Sequence, residues 1–320
     1  MRAIVVHEFG GPQVLRLEEV DDPKPKSQEV LVRIKAAGVN PVETYQRAGG
    51  QGYNRPLPFT PGADGAGVIE AVGADVSGYS VGDRVYTAGS VTGTYAELAR
   101  CTTEQVFPLP PGVSYEDGAC LWINYGTAYR ALFQRGSGVA GESVLVHGAT
   151  GGVGIAAVQW ARMRGLEVLA TFGSSEGEGL LRRQGVTTLF NHRDAEHARA
   201  ILEATGDQGV DLIVEMLANV NLDMDMDLLA RGGRIVVVGS RGSIEVTPRK
   251  LMAREADVRG LMLAGATPGE AREIHAAIGS AAASGAIKPV IQKRVALGEA
   301  AEAHRAVMED DSHGKILLIP

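Results

Sequence analysis

An apolar strand that runs directly into closely spaced glycines and then into a helix limits this chain more than any other stretch. Ser143-Val144-Leu145-Val146 leads into His147-Gly148-Ala149-Thr150-Gly151-Gly152-Val153-Gly154, and a helical run continues to Gly165. Glycines let the backbone bend sharply and come near a bulky anion, while the helix N-terminus adds unpaired N–H groups and a partial positive charge. The stretch reads as a dinucleotide-binding turn, with Gly148, Thr150, Gly151, Gly152, Val153 and Gly154 facing a pyrophosphate. Its glycines at 148, 151 and 154 give G-x-x-G-x-x-G rather than the common spacing, so the context carries the reading. Val153, Ala156, Ala157, Trp160 and Ala161 fall on one helical face, as a helix packed on a sheet requires. A strand-to-helix turn without any ligand is the plain alternative.

Strands and helices alternate after this turn. Strands are predicted at 143–148, 167–172, 187–191, 210–215, 234–239 and 258–263, with helices at 152–164, 176–184, 195–204 and 221–230. Such repeats predict a doubly wound parallel sheet whose strand ends line a cofactor crevice. The chain before it is different. Short β-rich runs at 3–6, 15–20, 29–37, 65–72 and 83–87, separated by Gly and Pro turns, predict a mainly antiparallel domain. Within it Asn40-Pro41-Val42-Glu43-Thr44-Tyr45 starts a short helix, and prolines at 56, 58 and 61 make 53–62 an extended loop. A helical stretch at 115–140 joins the two parts, and helix 271–284 with strand 314–319 returns to the first. The expected fold is α/β, with an antiparallel β domain at 1–120 and 266–320 and a Rossmann domain at 121–265.

Composition excludes several classes. With 320 residues, 45% hydrophobic and 22% charged, the chain can bury a large core and is not of the disordered type. A net charge of −7 argues against a general attraction to nucleic acid or an anionic membrane. No apolar run reaches the ~20 residues of a membrane helix, and MRAIVVHEFGG lacks a signal-peptide core, so a cytoplasmic protein is expected. Cys101 and Cys120 form no C-x-x-C pair and suit buried free thiols. No short-spaced His/Cys cluster indicates a metal, and no G-x-S-x-G elbow indicates a hydrolase. The acidic run Asp223-Met224-Asp225-Met226-Asp227 reads as the exposed face of a helix that points Leu222, Met226 and Leu229 inward.

Cofactor preference is read at the end of the second strand of the alternating part. Sites for NAD usually place Asp or Glu there to bond the ribose hydroxyl. Here Leu166-Glu167-Val168-Leu169-Ala170-Thr171-Phe172 ends in Gly173-Ser174-Ser175, which leaves room for a 2′-phosphate. Arg182, Arg183, His192 or Arg241 could approach that phosphate, so NADPH is expected; Arg182 and Arg183 suit a solvated helix face equally well. Asn191-His192, Met216 to Asn221 and Val238 to Gly242 occupy further strand ends where the rest of the dinucleotide would run.

The chain resembles the medium-chain dehydrogenase/reductase superfamily, and within it the zeta-crystallin-like NADPH:quinone oxidoreductases. The marks are Gly38 to Tyr45, Pro61-Gly62-Ala63-Asp64-Gly65-Ala66-Gly67-Val68-Ile69, Ala140 to Gly148 with the turn after it, Glu215 to Leu222, and Val237 to Gly242. The resemblance covers essentially the whole chain. It implies a GroES-like catalytic domain, a Rossmann domain and an active site in the cleft between them. By similarity NADPH should contact Tyr45, Thr150 to Val153, Gly173, Ser174, His192, Asn221, Val238, Gly239, Ser240 and Arg241, together with Leu261, Met262 and Leu263. Asn40, Tyr45, Tyr53 and Thr60 are the candidates beside the substrate. Related enoyl reductases use a loop tyrosine as proton donor, which falls without gaps on Gln51 rather than Tyr53.

Zinc-dependent relatives carry Gly-His-Glu and a cysteine-rich lobe, whereas this chain reads Gly62-Ala63-Asp64 and has no such lobe. Without a Lewis acid the acceptor must be intrinsically electrophilic, and a quinone is, because its ring spreads incoming charge. The implied activity is quinone reduction by NADPH, in hydride or one-electron steps. Reduction of α,β-unsaturated aldehydes or ketones is the alternative, and non-catalytic RNA binding or a structural role is a third. The apolar strand at 258–263 would be a sheet edge that pairs with a second copy, giving a homodimer or homotetramer.

Overall fold

β3 (Glu29–Val39) is eleven residues long and buried at nine of them, because it carries neighbours along both edges. The computed structural model describes residues 1–50, 52–53, 55–309 and 312–320. These divide into two units, Met1–Ile123 with Gly279–Pro320, and Asn124–Ile278. The expected boundaries stood at 120/121 and 265/266. The chain instead crosses back inside helix α9 (Pro268–Ala283).

In the first unit β1 (Arg2–Val5) and β2 (Arg16–Glu19) form an antiparallel pair. The remaining strands are β4 (Asp64–Val72), β5 (Arg84–Ala88), β6 (Leu98–Thr102), β7 (Val106–Pro108), β14 (Ile291–Ala296) and β15 (Lys315–Ile319). They and β3 form one sheet in the order β14-β15-β3-β4-β5-β7, and β6 also pairs with β3. β6 bonds to residues 29–33 of β3 and β15 to residues 37–39. All these pairs are antiparallel except β14 with β15. Val30, Val32, Ile34, Ile69, Val85, Tyr95 and Leu318 belong to the core that results. Helices α1 (Pro41–Ala48), α2 (Tyr115–Gly118) and α10 (Ala300–Ala306) complete the unit.

Wide helical turns at 121–126, within which the second unit starts at Asn124, and at 130–135 lie on either side of α3 (Thr127–Tyr129). Its strands are β8 (Ser143–Val146), β9 (Glu167–Phe172), β10 (Thr188–Asn191), β11 (Val210–Glu215), β12 (Leu229–Val237) and β13 (Asp257–Gly260). They form a fully parallel sheet in the order β10-β9-β8-β11-β12-β13. Helices α4 (Gly152–Met163), α5 (Ser175–Arg183), α6 (His197–Ala204), α7 (Ala218–Leu228) and α8 (Arg249–Arg254) lie between these strands in sequence. The order reverses between β8 and β11, which is where an open parallel sheet forms its crevice. Trp160 of α4 is fully buried and donates its indole N–H to the Tyr125 carbonyl at 3.1 Å.

Several elements have other bounds than the sequence predicts, three of them beside the glycine-rich edge of the parallel sheet. The helix expected at 221–230 starts three residues earlier and ends at Leu228, and Leu229 opens β12. The strand expected at 234–239 runs 229–237, leaving Val238 and Gly239 in a loop. The strand expected at 258–263 is shorter, because a 3₁₀ turn at Leu263–Gly265 follows it. Loops bonded to neighbouring strand ends had looked like extra strand.

Below the sheet, Arg234 is buried and answers one carboxylate and several carbonyls. Its guanidinium donates to the carbonyls of Gly136, Ser137 and Asp211, and it pairs with Glu142. Removing one partner of a buried ion pair leaves polar groups that water cannot reach. Arg234→Met is expected to lower the unfolding free energy by about 3 kcal/mol in a urea titration. A loss below about 1 kcal/mol would show the clamp to be solvated.

Candidate functional site

The glycine turn after β8 is shaped for an anion. Gly148 has φ +56°, in the left-handed region that favours glycine. A Cβ on Gly154 would lie 2.3 Å from the Gly148 carbonyl oxygen, so the strand end and the start of α4 meet only because position 154 is glycine. Gly151 is the extended N-cap of α4 and, having no side chain, caps none of the first N–H groups of that helix itself. A pyrophosphate fits those donors, since they supply hydrogen bonds and the positive end of a twelve-residue helix. Thr171 on β9 holds the turn from the side. Its hydroxyl accepts from Gly148 N–H at 3.2 Å and its carbonyl from Ala149 N–H at 3.3 Å. Sequence reading missed Thr171, which looked like ordinary strand.

Further strand ends bring the other expected cofactor residues to the same edge of the sheet. After Phe172 come Gly173 and Ser174, whose hydroxyl accepts from Gly177 N–H at 3.3 Å and caps α5. Glu176 is exposed, and Glu178 pairs along the helix with Arg182 at 2.7 Å. Arg182 therefore behaves as part of a solvated helix face. His192 is exposed beyond β10, with its N–H on the Phe172 carbonyl at 2.9 Å. The 238–242 loop is pinned to the end of β11, because Glu215 O accepts from Val238 N–H at 2.8 Å and Gly239 N–H at 3.2 Å. Gly239 O accepts from Ala218 N–H at 2.9 Å, and Asn219 Oδ1 from Arg241 N–H at 2.7 Å. Asn221, one turn into α7, donates its side-chain N–H to Glu215 at 3.2 Å. Leu261 N–H reaches the Val237 carbonyl at 3.0 Å, and Met262 is exposed beside it.

One sequence reading is corrected here. Asp225 does not lie on the exposed face of its helix. It is fully buried and accepts from His147 at 2.9 Å, with Glu215 3.8 Å from the same ring nitrogen. Only Asp223 and Asp227 face outward, held on Lys250 at 2.5 and 2.6 Å. One polar atom of each of His147, Glu215 and Asp225 lies within 4.8 Å of the others, a convergence that sequence spacing concealed.

The first unit contains a second buried polar group, built around Lys315 at the start of β15. Its ammonium pairs with Asp64 Oδ2 at 2.7 Å and donates to the side-chain oxygen of Asn40. A Cβ at Gly38 would fall 2.6 Å from Lys315 Cε and 2.3 Å from Ala119 O, so the lysine has room only beside a glycine. Asp64 Oδ1 also accepts from Ile123 N–H at 3.0 Å. Asn40 caps α1, where Pro41 occupies the first helical position. Its amide donates to Asp64 at 3.1 Å and to Glu43 at 3.2 Å, so both ends of the amide are committed inside the protein.

Glu43 accepts four bonds, from Asn40 N–H, the Asn40 amide, Ala63 N–H and the Tyr95 hydroxyl. The Tyr95 hydroxyl also meets His304 at 3.2 Å, and the far ring nitrogen of His304 meets Arg47 at 3.4 Å. Burial first, and Arg47 second, hold the His304 pKa down to about 3, so the ring is neutral. Tyr45 follows on α1, half-buried, with its ring centroid 5.9 Å from that of Tyr53. Thr60 lies next to the Val6–Phe59 bridge and is partly exposed. Gln51, where the family tyrosine would fall, lies outside the described residues.

Burial pushes the Glu43 carboxyl up to about 7, against the pull of Lys315 and the Asn40 donors. Its folded pKa thus exceeds its unfolded value, so the folded state binds the extra proton between about pH 4.5 and 7. The associated stability is complete below that window and lost as pH rises through it. Wild type should therefore lose up to about 3 kcal/mol relative to Glu43→Gln between about pH 4.5 and 8 in parallel denaturant titrations. Parallel pH curves for the two proteins would contradict this.

Comparison with known proteins places these features. Residues 26–111 match the family described as alcohol dehydrogenase GroES-like domain, and residues 152–290 the family described as zinc-binding dehydrogenase. The quinone oxidoreductase of Homo sapiens is 46% identical over 321 residues, covering 100% of this chain and 98% of that protein. The crystal structure of Escherichia coli quinone oxidoreductase complexed with NADPH superposes with a TM-score of 0.92 at 29% identity, covering all of both chains. A crystal structure described as an NAD-dependent alcohol dehydrogenase superposes with a TM-score of 0.93 at 28% identity, again over all of both chains.

Proposed function

This chain belongs to the quinone oxidoreductases of the medium-chain dehydrogenase/reductase superfamily, and on that premise we propose that it reduces quinones with NADPH and without a metal ion. The observation that carries this reading is the glycine turn that opens a twelve-residue helix on a glycine N-cap, joined to a second strand that ends in Gly173-Ser174 rather than a carboxylate. The cofactor, when bound, supplies the reducing hydride. Gly148 to Gly154 receive its pyrophosphate, while Gly173 and Ser174 leave space for a 2′-phosphate. Asn221, Val238 to Arg241, His192 and 261–263 line the rest of its path.

A metal-free reaction is supported by what Asp64 does. In Gly62-Ala63-Asp64 the carboxylate is neutralised by the fixed ammonium of Lys315 at 2.7 Å. A quinone needs little more than orientation and protons, because conjugation spreads the added charge over its ring. Tyr45 and Tyr53 offer hydroxyls for that protonation, with Thr60 nearby in sequence. The pairing of those two rings also suits the alternative, reduction of α,β-unsaturated carbonyls, which profits from one proton donor. We place the protein in the cytoplasm, in keeping with two buried free cysteines and no membrane-crossing helix among the described residues. Pairing of two copies along β13, an edge strand with Val258 exposed on it and Met262 exposed just after it, would give the expected dimer.

Following cofactor oxidation with an ortho-quinone, a para-quinone and an enone tests the reading. Both quinones should be reduced, with NADPH bound at least about tenfold more tightly than NADH, a difference of one charged hydrogen bond or more. Turnover of the enone alone, or equal use of NADH, sinks it. Gly154→Ala should weaken NADPH binding by about tenfold or more, since its methyl would displace the turn. Sedimentation at micromolar concentration tests the dimer, which a monomer would exclude.

A further inference from the structure

The convergence of His147, Glu215 and Asp225 can be resolved by accounting for its hydrogens. Thr171 Oγ1 accepts from Gly148 N–H, so its own hydrogen is free for His147 Nδ1 at 3.4 Å. That makes Nδ1 the acceptor and puts the imidazole proton on Nε2, which donates to Asp225 Oδ1 at 2.9 Å. Asp225 Oδ2 is then left buried with no donor among the N–H and O–H groups of the described residues. An unanswered carboxylate oxygen in a dry interior is costly, and the neighbour able to answer it is the other carboxyl, Glu215. Glu215 in turn accepts from Leu217 N–H and from the Asn221 amide.

We infer that Glu215 and Asp225 share one proton, and that this proton-bearing chain from Asn221 through Glu215, Asp225, His147 and Thr171 to Gly148 positions two parts of the dinucleotide site from beneath. The inference rests on the cofactor reading above. Glu215 and Asp225 are positioning residues: they act through Asn221 and the Gly148 turn. Burial raises both carboxyls, as it must for a proton to stay between them near neutrality. The charged groups acting on the three residues are one another. On the same helix Asp223 and Asp227 are occupied by Lys250 of α8, and β9 contributes the neutral Thr171. Loss of the shared proton would put a second negative charge under a site built for phosphates and remove the bond that orients Glu215 toward Asn221.

Glu215→Gln imitates the protonated acid and cannot lose its hydrogen, which makes it the informative variant. NADPH dissociation constants of the purified protein should be measured from about pH 6 to pH 9 for wild type, Glu215→Gln and Glu215→Ala. Wild-type affinity should fall at least about fivefold above neutrality, while Glu215→Gln stays within about twofold of neutral wild type throughout. Glu215→Ala should bind about tenfold more weakly at every pH, because Asn221 loses its acceptor. Parallel profiles for wild type and Glu215→Gln, or unchanged binding by Glu215→Ala, overturn the shared proton while leaving the cofactor reading intact. So does a stoichiometric divalent metal in the purified protein whose chelation weakens binding. A wild-type protein that binds no NADPH at any pH overturns both.

Discussion

The ion pair between Lys315 and Asp64 is the constraint on which the first unit depends. Charges removed from water gain from one another only when their remaining hydrogen-bonding capacity is also met, and here it is. The ammonium is shared between Asp64 and Asn40, and Asp64 also receives Ile123 N–H. Asn40, held at both ends of its amide, caps α1 and so sets the direction in which that helix presents Tyr45. Glu43, Tyr95, His304 and Arg47 extend the same network to α10. A well-packed hydrocarbon core could match such an assembly in stability, but would not point a particular helix at a particular angle.

The second unit reaches definition by another route. Many of its strand-end ties are made by backbone groups, with Glu215 O taking two N–H groups of the 238–242 loop and Thr171 O taking Ala149 N–H of the glycine turn. Main-chain bonds tolerate changes of side chain, so much of this edge depends on glycines at positions of close approach, such as Gly154 and Gly239. The two devices meet different needs. Backbone N–H groups are supplied by any residue, whereas a helix aimed in one direction must be held by specific side chains.

Much of this was legible in the sequence, for local reasons. The strand–glycine–helix stretch, the alternation after it and the strand-rich first part each follow from neighbours in the chain. The positions of Gly148 at a strand end, of Asn221 one turn into α7 and of Asn40 before α1 were legible for the same reason. The buried polar networks were not. Lys315 meets Asn40 across 275 residues, His304 meets Tyr95 across 209 and His147 meets Asp225 across 78. Nothing local separates Asp225 from Asp223 and Asp227: alternation of Asp with Met reads as one solvated face until His147 and Lys250 show which acid faces which partner. The displaced ends of α7, β12 and β13 have a similar origin, since hydrogen bonds to adjacent strand ends decide where those elements stop.

The long reach of Lys315 has a bearing on the order in which this protein is made. Asn40 and Asp64 leave the ribosome 275 and 251 residues ahead of the lysine that bonds to both. A nascent chain that already contains all of the parallel sheet still lacks the cation that neutralises Asp64 and the donor to the Asn40 side-chain oxygen. The Rossmann-type unit can gain structure during synthesis, while the segment around Tyr45 has to wait for β15 to arrive. The cap of α1 is therefore completed by a residue far in sequence from the helix it aims.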